Sequence, residues 1–291
     1  MPIDFLAIGH ATQDRVPGGY RRGGTVSYAA VTARLLGRRP GILTRASADS
    51  LAVREAPGVP ENASAPPGSE LDGVAIHLLA SPVNTTFVNI YRDGTRTQVL
   101  ETRAGPINVS DLPPAWSEVP IVLLGPIAAE LPPGWAVQFP DSLMGITPQG
   151  WMRKWDSSGH VSPARWEGAE SFLRRADAVI LSRDDVGGDD AYIAELARQT
   201  RMLLVTDGWH PVILHHAGAR YNVPVRPAQE VDPTGAGDVF ATAFLVRLAE
   251  TGDPLVAAHF ATAVASMSVE GPGMATIPDR TRVEDRLSRH G

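Results

Sequence analysis

The 291-residue sequence predicts an α/β fold with a mainly parallel central sheet covered on both faces. Three observations predict it. Short apolar runs such as IVLL and VILHH recur, too continuously apolar for a sheet with one wet face. Segments with apolar residues at helical spacing alternate with them, the order expected of strands joined by crossover helices. One stretch, 84–102, instead alternates apolar and polar residues around Asp93-Gly94, the signal of a hairpin lying beside the main sheet.

In chain order, IDFLAIG (3–9) opens as a strand. The polar stretch 12–24 follows it with no helix between, and with 84–102 it is expected to form a small antiparallel lid over a cleft. A helix is predicted over 25–37, then strands at 41–43 and 74–79. Residues 56–69 hold four prolines and almost no large apolar side chain, so they read as a surface loop. Further strands are predicted at 120–125, 178–182, 202–206 and 211–216, with helices at 167–175, 189–199, 236–250 and 254–269. Phe240, Phe244, Leu245 and Leu248 mark one helical face. The chain reads as one domain, 1–291, with lid segments near 12–24 and 84–102.

Composition excludes several function classes. Hydrophobic residues make up 43% and charged residues 20%, ordinary for a globular protein. No stretch approaches the roughly 18 consecutive apolar residues of a membrane span, and no export signal is visible, so no membrane partner and a cytoplasmic address are expected. Net charge is −6 with scattered basic residues, which argues against nucleic acid as a partner. There is no cysteine, hence no disulfide, thiol catalysis or zinc–thiolate site. Lys154 is the only lysine, so a Walker phosphate loop and a kinase strand lysine are both absent.

The stretch VDPTGAGDVFATAFL (231–245) carries the chemistry. If a helix starts at the GAG turn, its first amides lack carbonyl partners and meet the positive end of the helix dipole, a ready anion site. Gly235 and Gly237 permit close approach and positive φ. Asp238 then stands in the first turn, where its ionised form is favoured and can accept a proton. An anion cradle beside an ionised carboxylate is what phosphoryl transfer to an alcohol requires. An acidic first turn of an ordinary helix is the plainer alternative.

D-P-T-G-A-G-D-V-F resembles the C-terminal signature of the PfkB (ribokinase-like) carbohydrate kinase family, written D-(T/P)-T-G-A-G-D-x-F. Other landmarks follow in order: GHATQD (9–14) after the first strand, Gly23-Gly24 before a helix ending RLLG, VTDG (205–208), and AHFATAVASMSVEGPG (258–273). The resemblance implies a ribokinase-like three-layer α/β/α domain with a small antiparallel β lid. It implies Asp238 as general base, with the amides of Gly235, Ala236 and Gly237 as anion hole. It implies substrate contacts from Asp14, Gly23, Gly24, Tyr28 and, on the lid, Thr86. Asn89, Tyr91, Arg96 and Gln98 are further lid candidates, for which solvent or a dimer contact is the simpler reading. Nucleotide contacts are implied for Thr206, Gly208, Thr234, Ala261 and Ala265, with ATP and Mg2+ as cofactors. Asp232 and Thr234 would either brace the turn or hold a monovalent cation. Arg103 is a candidate for charge neutralisation.

The chain departs from the family pattern in three places. Ser182-Arg183-Asp184-Asp185 replaces an N-x-x-E motif, leaving Asp185 as the metal candidate through a bound water. Tyr28 stands where many members carry a sugar-binding Asn, a feature similar to inositol-type members. Pro211 replaces the second Gly of T-x-G-x-x-G. His215-His216 on a strand point to opposite faces and cannot share an ion; His10 is left unassigned. The expectation is an ATP-dependent kinase acting on a hydroxyl of a small polyol, a sugar or cyclitol of inositol type, with a homodimer through the lid sheet as an option. A nucleoside kinase of the same fold and an inactive ligand-binding protein are the alternatives.

Overall fold

The computed structural model describes residues 2–16, 18–47, 63–64, 68–92 and 95–289. Strand β1 (Phe5–Ile8) is buried along its whole length, as its unbroken apolar run requires. The chain then leaves the main sheet for β2 (Thr12–Val16) and β3 (Gly19–Gly23), and returns through α1 (Thr25–Leu35) to β4 (Pro40–Ala46). Gly24, before α1, has φ +84, and a Cβ there would lie 2.4 Å from the His10 carbonyl oxygen. Only glycine lets the helix start this close to the end of β1.

Strands β5 (Ala63–Ser64), β6 (Ala75–Ala80), β7 (Thr85–Arg92), β8 (Thr95–Thr102), β9 (Ile121–Leu124) and β10 (Leu143–Ile146) follow. A short hairpin, β11 (Arg153–Trp155) and β12 (Val161–Pro163), precedes α2 (Glu170–Arg175), β13 (Ala178–Ser182) and α3 (Asp190–Gln199). The chain ends with β14 (Met202–Asp207), β15 (His210–His216), β16 (Ala219–Val223), α4 (Ala236–Thr251), α5 (Pro254–Ser268) and α6 (Arg280–Arg289).

The ten-stranded main sheet runs β16-β15-β14-β13-β10-β9-β1-β4-β6-β5. From β14 to β6 every pair is parallel, while β15, β16 and β5 add antiparallel edges. Helices α1, α4, α5 and α6 pack on one face, around Phe240, Phe244 and Leu245. Helices α2 and α3 and short helical turns bearing Trp135 pack on the other. Both faces are dry, which is why the strands are apolar throughout. A small sheet, β3-β2-β7-β8, joins two antiparallel hairpins through a parallel β2–β7 pair. The β11–β12 hairpin leans on it: the Leu100 amide donates to the Gly159 carbonyl at 2.8 Å.

Several elements went unforeseen, the β11–β12 hairpin among them. Leu143–Ile146 is a central strand, but its four residues include a glycine and carry no strand signal of their own. The mostly exposed β16 and the arginine-rich α6 also lacked an apolar run. The loop expected over 56–69 lies largely outside the described residues, and Ala63–Ser64 within it form an edge strand. The Asp93-Gly94 turn likewise lies outside the described residues. No helix among the described residues is long and apolar enough to cross a membrane.

After β1 the main sheet grows outward through β4 and β6, then resumes on the other side of β1 with β9 and β10. Such a reversal leaves a crevice at the carboxyl ends of the strands, where ligands of open α/β sheets bind.

Candidate active site

A cavity of about 850 Å³ occupies that crevice. Its floor is made by the strand ends Thr147, Ser182 and Thr206, one wall by α1 and the start of α4, and its roof by the small sheet and the β11–β12 hairpin. Asp14, Gly23, Gly24 and Tyr28 line one end; Thr206, Gly208, Thr234 and Ala265 line the other. Gly235, Ala236, Gly237 and Asp238 lie between them, and Asp185 stands on the floor. Residues more than two hundred positions apart thus share one space.

The turn before α4 explains its glycine. Gly235 has φ +80, and a Cβ on it would sit 2.3 Å from the Tyr28 ring. Gly237, by contrast, is already helical, with open space where a Cβ would go, so positive φ is required at only one of the two glycines. The three amides of the turn are not equivalent. Ala236 donates to the Pro233 carbonyl at 3.2 Å because the chain makes a tight turn there. Gly235 and Gly237 make no such bond to a described residue, so two amides, rather than three, are open to an anion.

Asp238 is half-buried and faces the cavity. A helix N-terminus alone would favour its ionised form, but here burial dominates and pushes the carboxyl up to about 6. A hydrogen bond from the Thr25 hydroxyl and the charge of Arg153 oppose the rise, and Asp185 adds to it. The result is a carboxylate still ionised at neutral pH yet basic enough to take a proton, the balance general-base work requires.

Tyr28 is 2% exposed, and burial holds its phenol protonated well above its ordinary range. Its ring supports the Gly235 turn while its edge borders the cavity near Asp14, so it touches both the acceptor end and the anion site.

Asp232 is saturated. Its Oδ1 accepts the Thr234 amide at 3.0 Å; its Oδ2 accepts the Gly273 amide at 3.0 Å and the Arg21 guanidinium at 2.6 Å. Of its two expected roles, bracing the turn or holding a monovalent cation, these bonds match the first, and the carboxylate faces an arginine from β3. Arg103 also lies elsewhere: it donates to the Ala129 carbonyl and stacks over Trp155.

Two expected contacts do not reach the cavity. Thr86 is 5% exposed and packed within the small sheet, where the register shifts and Phe87 lines the cavity instead. Ala261 is fully buried in the helical layer; Thr262, Ala265, Ser266 and Val269 form that part of the wall. Of the other lid candidates, Gln98 lines the cavity and donates to Asn89, while the side chains of Tyr91 and Arg96 lie outside the described residues. His10 is fully buried and structural: Thr85 donates to Nδ1, and Nε2–H donates to the Gly105 carbonyl. Burial lowers its pKa, in keeping with a neutral ring.

Several lining residues carried no sequence signal. Gln149 donates to Asp185 at 3.2 Å, and Arg153 enters from the β11–β12 hairpin. The Thr147 and Ser266 hydroxyls are buried without a partner, both in residues that line the cavity. Trp209 is 47% exposed at the cavity mouth beside Val212 and Val225.

Asp185 also bears on metal binding. Its Oδ2 accepts the Ser182 amide at 2.9 Å and its Oδ1 accepts Gln149, leaving a lone pair on each oxygen. Among the described residues no group of three or more His, Cys, Asp or Glu could hold a metal. Such a site fits an ion that keeps most of its waters and completes its shell with phosphate oxygens, as Mg2+ does.

Comparison with known proteins agrees with this geometry. Residues 174–281 match the pfkB family carbohydrate kinase model. Ribokinase of Bacillus subtilis (strain 168) is 39% identical over 94 residues, 32% of this chain and 32% of that protein. The chain thus aligns with about a third of the length of the curated relatives it matches. A pyrophosphate-dependent kinase in the ribokinase family, solved with a pyrophosphate analog and myo-inositol, superposes with TM-score 0.76 and 25% identity over 97% of this chain and 99% of that one. Ribokinase of Arabidopsis thaliana, complexed with ribose and ATP, shares the fold with TM-score 0.71 and 20% identity over 99% of both chains. The fold is ribokinase-like, and residues 174–281 are similar to the pfkB family carbohydrate kinases.

Proposed function

We propose that the protein is a kinase transferring the γ-phosphoryl group of ATP to a hydroxyl of a small polyol, a sugar or a cyclitol. One observation carries the reading: a raised, cavity-facing Asp238 adjoins two open amides in a space that has an acceptor end and a donor end. In the step, Asp238 takes the proton of the acceptor hydroxyl as its oxygen bonds to the γ-phosphorus. The bond from that phosphorus to the bridging oxygen breaks, and ADP leaves with the electron pair. Gly235 and Gly237 amides hold the moving phosphoryl oxygens. Asp14 and the Tyr28 hydroxyl bind acceptor hydroxyls, with Gly23 and Gly24 letting the substrate approach the backbone. The small sheet acts as a lid that excludes water. Mg2+, held through Asp185 and its waters, would offset phosphate charge.

At the donor end Val212, Val225, Ala265 and Val269 make an apolar slot with Trp209 at its rim. A nucleobase buries apolar surface there and pyrophosphate does not, which supports ATP. The likeness to a pyrophosphate-dependent kinase makes pyrophosphate the second reading. The resemblance of Tyr28 to inositol-type members favours a cyclitol, and that neighbour's complex with myo-inositol supports it.

The test is a panel of cyclitols, sugars and nucleosides with Mg2+ and either ATP or pyrophosphate, read as donor consumed. Acceptor-dependent ADP release with a cyclitol or sugar is the expected result. Turnover only with nucleosides, or only with pyrophosphate, replaces the acceptor or donor assignment. Binding without turnover under every combination leaves a ligand-binding protein and ends the kinase reading.

A further inference from the structure

The cavity is electrostatically lopsided. Among the described residues lining it stand six carboxylates, Asp14, Asp184, Asp185, Glu230, Asp232 and Asp238, and one cationic side chain, Arg153. A polyphosphate entering that field is repelled by several like charges in a partly desolvated space, where such repulsion is strongest. Arg21 relieves only Asp232, to which it is bound. The chain has no second lysine to place there, and Lys154, next to Arg153 on β11, is exposed and points to the opposite face.

Arg153 is held in place from two sides. Its guanidinium lies 5.8 Å from the centroid of Phe87, a cavity-lining residue of β7. Its hairpin is tied to β8 through the Leu100–Gly159 hydrogen bond and a Val99–His160 bridge. A cation is thus brought to the wall of the cavity that holds Asp238 by a hairpin anchored to the small sheet. Its field already reaches Asp238.

We propose that Arg153 is a catalytic residue that neutralises the phosphoryl group as it moves from donor to acceptor. The inference rests on the kinase reading above. A planar guanidinium offers two parallel donors to phosphoryl oxygens, a geometry lysine lacks. Because the hairpin, β7 and β8 are one assembly, ordering the lid also orders the charge.

The experiment compares wild type with Arg153→Met and Arg153→Lys, using the best acceptor from the panel, and separately titrates ATP and ADP into each resting protein. Arg153→Met should lose about a hundredfold or more in kcat, the scale of one lost transition-state donor. Arg153→Lys should recover only part, and added guanidinium should restore part of the Arg153→Met rate. The preference for ATP over ADP should shrink in Arg153→Met, since only ATP carries the γ-phosphate. The charges facing Asp238 are Asp185 and Arg153, so removing the cation should also move the acid limb of kcat/KM to higher pH. A folded Arg153→Met with unchanged kcat and an unchanged ATP-to-ADP affinity ratio overturns the proposal. If Arg153→Met unfolds, Arg153→Gln, which keeps a planar end against Phe87, is read by the same two outcomes. A wild type inactive towards every acceptor sinks the kinase reading instead, while the affinity ratio still judges Arg153.

Discussion

Asp238 shows how one residue ties stability to chemistry. Its carboxyl is pushed up to about 6 by burial, against an ordinary 3.8. The folded protein therefore binds that proton more tightly than the unfolded chain does. Ionising it costs the fold stability above pH 6, and the cost vanishes below the unfolded value near 4. Two outcomes follow for Asp238→Asn. Turnover should fall about a hundredfold or more, measured as ADP release. Its melting temperature should exceed wild type at pH 7.5, with the gap closing towards pH 4.5. A destabilised Asn variant would show that the carboxylate is structural. In wild type, kcat/KM should decline as pH falls through about 6. Gly235→Ala is the steric counterpart: positive φ and a Cβ at 2.3 Å from Tyr28 should cost both folding stability and nearly all activity, read by thermal melts and initial rates. The motif could be read from sequence because its parts are contiguous; neither the direction nor the size of the Asp238 shift could, because burial sets it and Thr25, Asp185 and Arg153 are remote in the chain.

Between elements, two polar ties hold the site together. Glu130 is fully buried and accepts the amides of His10, Ile127 and Ala128, locking the end of β1 to the loop after β9. Glu130→Gln leaves a buried donor facing donors, so it should cost about 2–4 kcal/mol by denaturant titration. Arg21 of β3 bridges to Asp232 in the loop feeding α4, a half-exposed pair whose contribution to stability is only about 1 kcal/mol. Its importance is positional, since it fastens the small sheet to the turn carrying the open amides. Arg21→Ala should barely change the melting temperature but lower kcat/KM. Wild-type rate should be equal in potassium and tetramethylammonium buffers, because the Asp232 carboxylate already has its cation. Strong activation by potassium would refute that. Neither tie was foreseen: an Arg and an Asp 211 positions apart carry no mutual signal in one sequence. Long apolar strands and helices were legible, whereas β10 and the β11–β12 hairpin, at four and three residues per strand, were too short to show a period.

At the scale of the whole molecule the cavity joins acceptor and donor ends in one space, so ligands should stabilise the entire fold by mass action. ATP with Mg2+ should raise the melting temperature more than ADP does, and a turned-over polyol should add to the rise. Dimerisation through the small sheet is constrained as well. Strand β8 is engaged at Leu100 and Val99 by the β11–β12 hairpin, so a homodimer would use the β3 edge. Sedimentation of a variant carrying proline at Tyr20, in β3, would then show dissociation.

Sequence by itself determined the fold class, most of the central strands and helices, and the G-A-G-D turn, because each is written in local periodicity or contiguous residues. Tertiary structure alone decided which side chains meet. It closed the Ala236 amide, set a guanidinium against Asp232, excluded Thr86 and Ala261 from the cavity and brought Arg153 to its wall. The reason is physical: register, burial and the field at a charged group depend on neighbours brought together only when the sheet closes.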